Sequence, residues 1–254
     1  LPAHQINNAA GKTESGLTED GFQAQFGINF LAPWLLTNLL LPAMRKAGSG
    51  SRGPARLVNV SSEAHNVFVV PPDQASAQHL IDSSSLSDIQ LNELKLVTSL
   101  FNSGGREYLE SASVFPFDRL HEAVPAAMSM TLGYAVSKLA QVLHVRELAA
   151  READITAVAV HPGGVDTNMA AGLMDVLFKA EDADDDRWLT PWQGAQMPLF
   201  AALEPGLRSG SYYDDFELET WASPVSRDAQ LAKRLWAFAE EQVEAAAGSG
   251  RARL

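Results

Sequence analysis

Tyr134-Ala135-Val136-Ser137-Lys138-Leu139-Ala140-Gln141-Val142-Leu143, running on to Arg151 and then into Ile155-Thr156-Ala157-Val158-Ala159-Val160 and His161-Pro162-Gly163-Gly164, decides the fold. Ala135, Leu139, Val142 and Leu143 fall at i, i+4, i+7 and i+8, one apolar stripe on a helix from about Tyr134 to Arg151. The six residues from Ile155 are apolar or β-branched without alternation, the pattern of a strand buried on both faces, and Pro162-Gly163-Gly164 stops it. Upstream, Arg56-Leu57-Val58-Asn59-Val60-Ser61-Ser62 opens from turn residues and closes on two serines, a second strand of the same kind. Strand, helix, strand is the βαβ rhythm of a parallel sheet, so the class is α/β.

Further outward, Thr18 is placed to cap a helix from about Gly21 to Leu41, ended by Pro42 and the Gly-Ser-rich segment Gly48 to Pro54. Thr190 with Pro191 at the first helical position starts another helix. Gly210 to Tyr213 reads as a short final strand, and Arg227 to Ala247 as a terminal helix with Leu231, Leu235 and Phe238 on one face. Residues 1–247 are read as one domain, with an irregular insertion over 63–130 that includes a short helix from Asp88 to Leu100, and 248–254 as a flexible tail.

The 254 residues are 46% hydrophobic and 20% charged, a globular balance that excludes disorder or coiled coil for the chain as a whole. Nineteen Lys and Arg against 31 Asp and Glu give a net charge of −12, which repels phosphate backbones, so no nucleic-acid partner is expected. With no cysteine there is no thiolate nucleophile or disulfide framework. No secretory signal is visible, which leaves the cytoplasm or an organelle as the expected location. The longest apolar run, Phe26 to Met44, is interrupted by Asn29, Pro33, Thr37, Asn38 and Pro42 and is read as a core helix, not a transmembrane span. The acidic run Glu181 to Asp186 reads as a solvated loop, and no metal site is assigned.

Chemistry concentrates near three strand ends. Tyr134 and Lys138, four apart, share one helix face. An ammonium about 4 Å from a phenol favours the phenolate by roughly 4 kcal/mol at an effective dielectric of 20, enough to bring a tyrosine toward acid/base work at neutral pH. Many Tyr-x-x-x-Lys pairs are instead a packed ring beside a solvated amine. Ser61 and Ser62 end one strand and His161 to Thr167 follow the next, where open parallel sheets bind their ligands. Asn29, polar inside an apolar helix, is either an ordinary satisfied core amide or a group that holds water beside a site.

Taken in order, these segments resemble the short-chain dehydrogenase/reductase family, in particular the branch of retinol dehydrogenases and the WW-domain oxidoreductase. Ile6-Asn7-Asn8-Ala9 is similar to the family's Asn-Asn-Ala-Gly strand end. Thr18 to Asn29 is similar to its following helix, Arg56 to Ser62 to its serine-bearing strand, Tyr134 to Ala140 to its catalytic helix, and His161 to Thr167 to its cofactor turn. Thr190 to Gln196 and Ser209 to Tyr213 resemble later segments of the branch.

The resemblance implies a Rossmann-like doubly wound parallel sheet and NAD(P)-dependent interconversion of a small lipophilic alcohol with its aldehyde or ketone, the coenzyme being NADP or NAD. It implies Tyr134 as proton donor or acceptor, Lys138 as the residue that tunes it and binds the nicotinamide ribose, and Ser62 on the substrate oxygen. It further implies Asn29 beside a proton-relay water, Pro162, Gly163 and Thr167 around the nicotinamide, and Asn8 and Ala9 near the middle of the cofactor. The family's use of the helices around Asn29 and Tyr134 in dimers implies a homodimer.

The likeness has gaps. The family's first strands and glycine-rich turn are missing, so the domain is read as N-terminally truncated. Gly48, Gly50 and Gly53 spell Gly-x-Gly-x-x-Gly, but between a helix and a strand, the reverse of the cofactor context, and are read as a loop. Ala10 stands where the family has glycine, unless Gly11 is that glycine displaced by one residue. The alternative to the enzyme is a catalytically incomplete chain, a fragment or a non-enzymatic binding module.

Overall fold

Four parallel strands run β1 (His4–Asn7), β2 (Ala55–Val60), β3 (Ile155–Val160) and β4 (Ser211–Asp214), paired in that order, and β5 (Glu217–Leu218) returns antiparallel on β4. In register, Asn7 pairs with Asn59 and Val60 with Val160, so β1, β2 and β3 finish within one residue of each other. This computed structural model describes residues 4–11, 16–50, 53–69, 115, 117, 120–122, 133–168, 188–218, 222 and 225–248. The short helix expected over Asp88 to Leu100, the acidic run from Glu181 and residues 249–254 of the expected tail lie outside them.

Both middle strands are buried along their length, and alternate residues feed two cores. Ala55, Leu57, Ile155, Ala157, Ala159 and Tyr212 face helices α1 (Ala24–Gly48), α2 (Tyr134–Arg151) and α4 (Ala229–Gly248). Val58, Val60, Val158, Val160 and Tyr213 face α3 (Pro191–Leu203) through Met197, Ala201 and Ala202. Helices on both sides of a mainly parallel sheet make this the doubly wound, Rossmann-like architecture. Thr190 caps α3 as expected: it and Gln193 form a reciprocal capping box with Pro191 at the first helical position. The terminal helix reaches Gly248, one residue into the segment expected to be tail.

Helix α1 departs from expectation at both ends. Gln23, not Thr18, caps it, its side-chain oxygen accepting from Phe26 N at 2.9 Å. Thr18 instead closes a turn, its Oγ1 accepting from Phe22 N and its own N–H donating to Phe22 O. At the other end the helix continues past Pro42, which lies on the exposed face, because Leu41 and Met44 are buried to either side of it and Arg45 pairs with Glu152 at 2.5 Å. Phe26, Phe30, Trp34, Leu41 and Met44 seat one face of α1 in the core, and Ile28, Leu36, Leu39 and Leu40 are exposed on the other. By length and composition alone this helix passes for a membrane span.

Gly48 is the last residue of α1, and the Gly-x-Gly-x-x-Gly run does connect a helix to a strand. Its glycine serves packing: a Cβ on Gly48 would run into the carbonyl oxygen of Asp154. Gly48→Ala is expected to cost about 1–3 kcal/mol, as overpacking against backbone does. A lowered urea midpoint with an unchanged slope checks this.

Candidate active site

The carboxyl ends of β1, β2 and β3 form one rim, and the helices that follow β1 and β2 meet over it. Lys138, on the first full turn of α2, is 3% exposed, and its Nζ donates to Val60 O at 2.7 Å, on the last residue of β2. Ser61 Oγ donates to Lys138 O at 2.9 Å, so the strand end and this residue of the helix are tied in both directions. The same Nζ lies 5.2 Å from the ring centroid of Tyr134, which is half-buried. The helical period that places positions i and i+4 together thus brings phenol and amine to the end of β2. Burial pushes the Lys138 amine down to about 7, while the oxygens that accept its N–H bonds favour the ammonium.

Ser62 begins the turn into a 3₁₀ helix (Glu63–Val69). Its Oγ accepts from Ala64 N at 3.2 Å, which orients the hydroxyl and leaves its proton to donate. His65 Nδ1 donates to Ser62 O at 2.6 Å from a fully buried ring. The two serines therefore divide the work: Ser61 turns inward onto α2, and half-buried Ser62 faces the rim.

Asn29 lies in a widened π turn of α1, Gly27–Leu31, and is fully buried. Its Oδ1 accepts from Gly11 N at 3.1 Å, and its Nδ2 donates to Gln25 Oε1 at 2.8 Å and Ser137 Oγ at 3.1 Å. Ser137 Oγ in turn donates to Tyr134 O at 2.7 Å. One amide thus joins the loop after β1, helix α1 and the start of α2, and both its N–H donors are used. It is Gly11, not Ala10, that the side chain holds. The π turn also presents the main-chain oxygen of Asn29 to Gln141, whose Nε2 donates to it at 2.7 Å.

Of the other expected residues, Asn8 and Ala9 are exposed just beyond β1, Pro162 and Gly163 are half-buried just beyond β3, and Thr167 is exposed further along the same turn. Gly163 has φ +84°, and a Cβ there would meet Leu189 Cδ1. The turn is fixed to the segment before α3 by Leu189 N to Gly164 O (2.8 Å) and Asp166 N to Leu189 O (2.9 Å).

Residues not singled out from sequence complete the rim. Asn59, fully paired, accepts from Asn7 Nδ2 at 2.8 Å and donates to Gln141 O at 3.0 Å and His144 Nδ1 at 3.2 Å. Gln141 accepts from Lys138 Nζ at 3.2 Å. Glu63, His161 and Asp214 each bring a ligand-type atom within 4.8 Å of the others. Burial pushes the Asp214 carboxyl above the usual carboxylate range.

A doubly wound parallel sheet with a Tyr-x-x-x-Lys helix over a serine-ended strand defines a class, and comparison with known proteins gives the same one. Retinol dehydrogenase 12 of Bos taurus is 31% identical over 225 residues, 86% of this chain and 54% of the relative. Polyprenol dehydrogenase of Mus musculus is 32% identical over 248 residues, 93% of this chain and 59% of the relative. A short-chain dehydrogenase/reductase of Aspergillus calidoustus is 28% identical over 262 residues, 94% of this chain and 68% of the relative. The crystal structure of an uncharacterized protein from Mycobacterium paratuberculosis superposes with TM-score 0.53 at 26% identity, over 95% of this chain and 67% of that one. No family model matches. Over most of its length the chain is similar to short-chain dehydrogenases/reductases, retinol dehydrogenases among them. It spans about half the length of the retinol dehydrogenases it matches.

Proposed function

We propose that the chain carries the proton-transfer site of an NAD(P)-dependent oxidoreductase that interconverts a lipophilic alcohol and its aldehyde or ketone. The observation that carries this reading is Lys138: its amine is fixed on the last carbonyl of β2 and lies under the Tyr134 ring, one residue along the chain from the Ser61-Ser62 pair. Retinol and polyprenol, the alcohols named for two relatives, are both lipophilic.

The residues beyond the strand ends fit the nicotinamide end of a dinucleotide. Asn8 and Ala9 on one side and Pro162, Gly163 and Thr167 on the other border the rim over which Tyr134 is half-buried, and an amine beneath it suits a ribose hydroxyl. Among the described residues there is no strand, glycine-rich turn and helix to hold a pyrophosphate. Bound there, the cofactor supplies a hydride acceptor or donor. The Tyr134 phenol gives the proton to the substrate oxygen in reduction and takes it in oxidation. Lys138, when charged, lowers the cost of the phenolate. The Ser62 O–H donates to the same substrate oxygen and stabilises its developing negative charge.

The test follows oxidation of NADPH or NADH by the protein with a long-chain aldehyde. Saturable turnover is expected, and Ser62→Ala is expected to reduce kcat by about 10²-fold, as loss of one donor to a developing oxyanion does. Saturable cofactor binding without turnover by the unaltered protein would favour a binding module.

A further inference from the structure

Lys138 has a second fixed partner whose own placement depends on the π turn in α1. Gln141 is 1% exposed and one turn beyond Lys138 on α2. Its Oε1 accepts from Lys138 Nζ at 3.2 Å, its Nε2 donates to the main-chain oxygen of Asn29 at 2.7 Å, and its own carbonyl accepts from Asn59 Nδ2 at 3.0 Å. The side-chain amide therefore spans from amine to π-turn carbonyl with its donor and acceptor ends both used. Because Asn29 is itself held by Gly11, Gln25 and Ser137, the bridge has a rigid footing.

We propose that Gln141 is a positioning residue for the reaction: it holds the Lys138 amine beneath Tyr134. This rests on the reading of Tyr134 and Lys138 given above. Lys138 Nζ has three N–H bonds; Val60 O and Gln141 Oε1 take two, and the third is the one that can serve the phenol or a ribose hydroxyl.

The titratable surroundings are few. Tyr134 is on the same helix. His161, beyond β3, is held neutral, pushed down to about 3 by burial and by repulsion from His65 and Lys138. The contacts from α1 and β2 are the neutral groups Asn29, Val60 and Ser61.

The test is the titration of Lys138 in the whole protein, followed by NMR of its 13C-labelled ε carbon, beside the pH profile of kcat. Gln141→Met, close in shape but without either hydrogen bond, is expected to move the Lys138 midpoint down by about one unit, the worth of a hydrogen bond to a charged group. Gln141→Glu, which sets a carboxylate against the amine, is expected to move it up. The kcat profile is expected to follow in both variants, with KM for the aldehyde within about twofold of the unaltered protein, since uniform binding is untouched. A residue that only filled space would not move the midpoint in opposite directions. Unchanged midpoints in both variants would overturn the proposal, as would changed midpoints with an unmoved kcat profile. Absence of turnover in the unaltered protein would overturn the oxidoreductase reading instead, and the NMR titration would still decide the bridge. If the Met variant does not fold, the Glu variant alone decides: a raised midpoint supports the bridge and an unmoved one overturns it.

Discussion

Tyr134→Phe is expected to lower kcat by roughly 10²–10⁴-fold, the range for loss of a positioned general acid or base. The change removes one oxygen and nothing else. The Phe ring keeps its place above Lys138, whose amine stays fixed by Val60 O and Gln141 Oε1, neither of which involves the phenol. The Tyr134 main-chain oxygen still accepts from Ser137 Oγ, so the link to Asn29 and Gly11 survives. The urea midpoint should therefore stay close to that of the unaltered protein, and KM for the aldehyde should change far less than kcat. Steady-state rates with a long-chain aldehyde and reduced cofactor check it; a Phe variant with undiminished kcat would remove Tyr134 from the proton transfer. Lys138→Met, by contrast, is expected to impair both activity and folding, because it leaves Val60 O and Gln141 Oε1 buried without their donor.

Much of this was legible in the amino-acid sequence because it rests on short periods. The apolar or β-branched run at Ile155 and the largely apolar stretch Leu57 to Val60 announce strands, and the four-residue step from Tyr134 to Lys138 announces a shared helix face. The role of Asn29 was half legible. A polar residue in an apolar helix calls for partners, but nothing in Gly27-Ile28-Asn29-Phe30-Leu31 declares a π turn, and only that turn offers its main-chain oxygen to Gln141. Ser61 and Ser62 could not be told apart by pattern, since the strand's alternation ends where they begin. Gln141 carried one usable signal, its place three residues after Lys138. The meeting of Glu63, His161 and Asp214 depends on three strand ends coming side by side, which no local spacing records.

Acidification is expected to weaken the fold well before most carboxylates titrate, and the cause lies in three imidazoles, those of His144, His65 and His161. His144 is 3% exposed among Phe30, Trp236 and Asn59. Both hydrogens of the Asn59 amide are donated, one to His144 Nδ1, so the ring accepts there and carries its proton on Nε2 with no acceptor in reach. His65, fully buried, has the opposite tautomer, donating from Nδ1 to Ser62 O. Burial pushes His144 down to about 3 and His65 to about 4, and His161 beyond β3 down to about 3. In the unfolded chain all three take a proton near pH 6.5, so below that value the unfolded state binds more protons, and stability falls as pH falls from 6.5 toward 4. At pH 5 the loss is about 2 kcal/mol for each ring relative to neutral pH. Asp214, raised by burial, acts in the opposite sense: its stabilising effect is present at low pH and is lost as pH rises above the ordinary carboxylate value. Lys138, down at about 7, extends the gain in stability with pH upward from neutrality toward the ordinary lysine value. Urea midpoints at pH 7.5 and pH 5 check the sign, and His144→Gln, which keeps an acceptor for Asn59 but does not titrate, is expected to recover about a third of the loss. Equal midpoints at the two pH values would mean that these rings are not held neutral by the fold. Since His65 Nδ1 bonds to the carbonyl of Ser62, protonating that ring places a charge under the proposed substrate-binding hydroxyl, so the activity of the folded protein should decline as pH falls through about 4, below the window in which stability is lost.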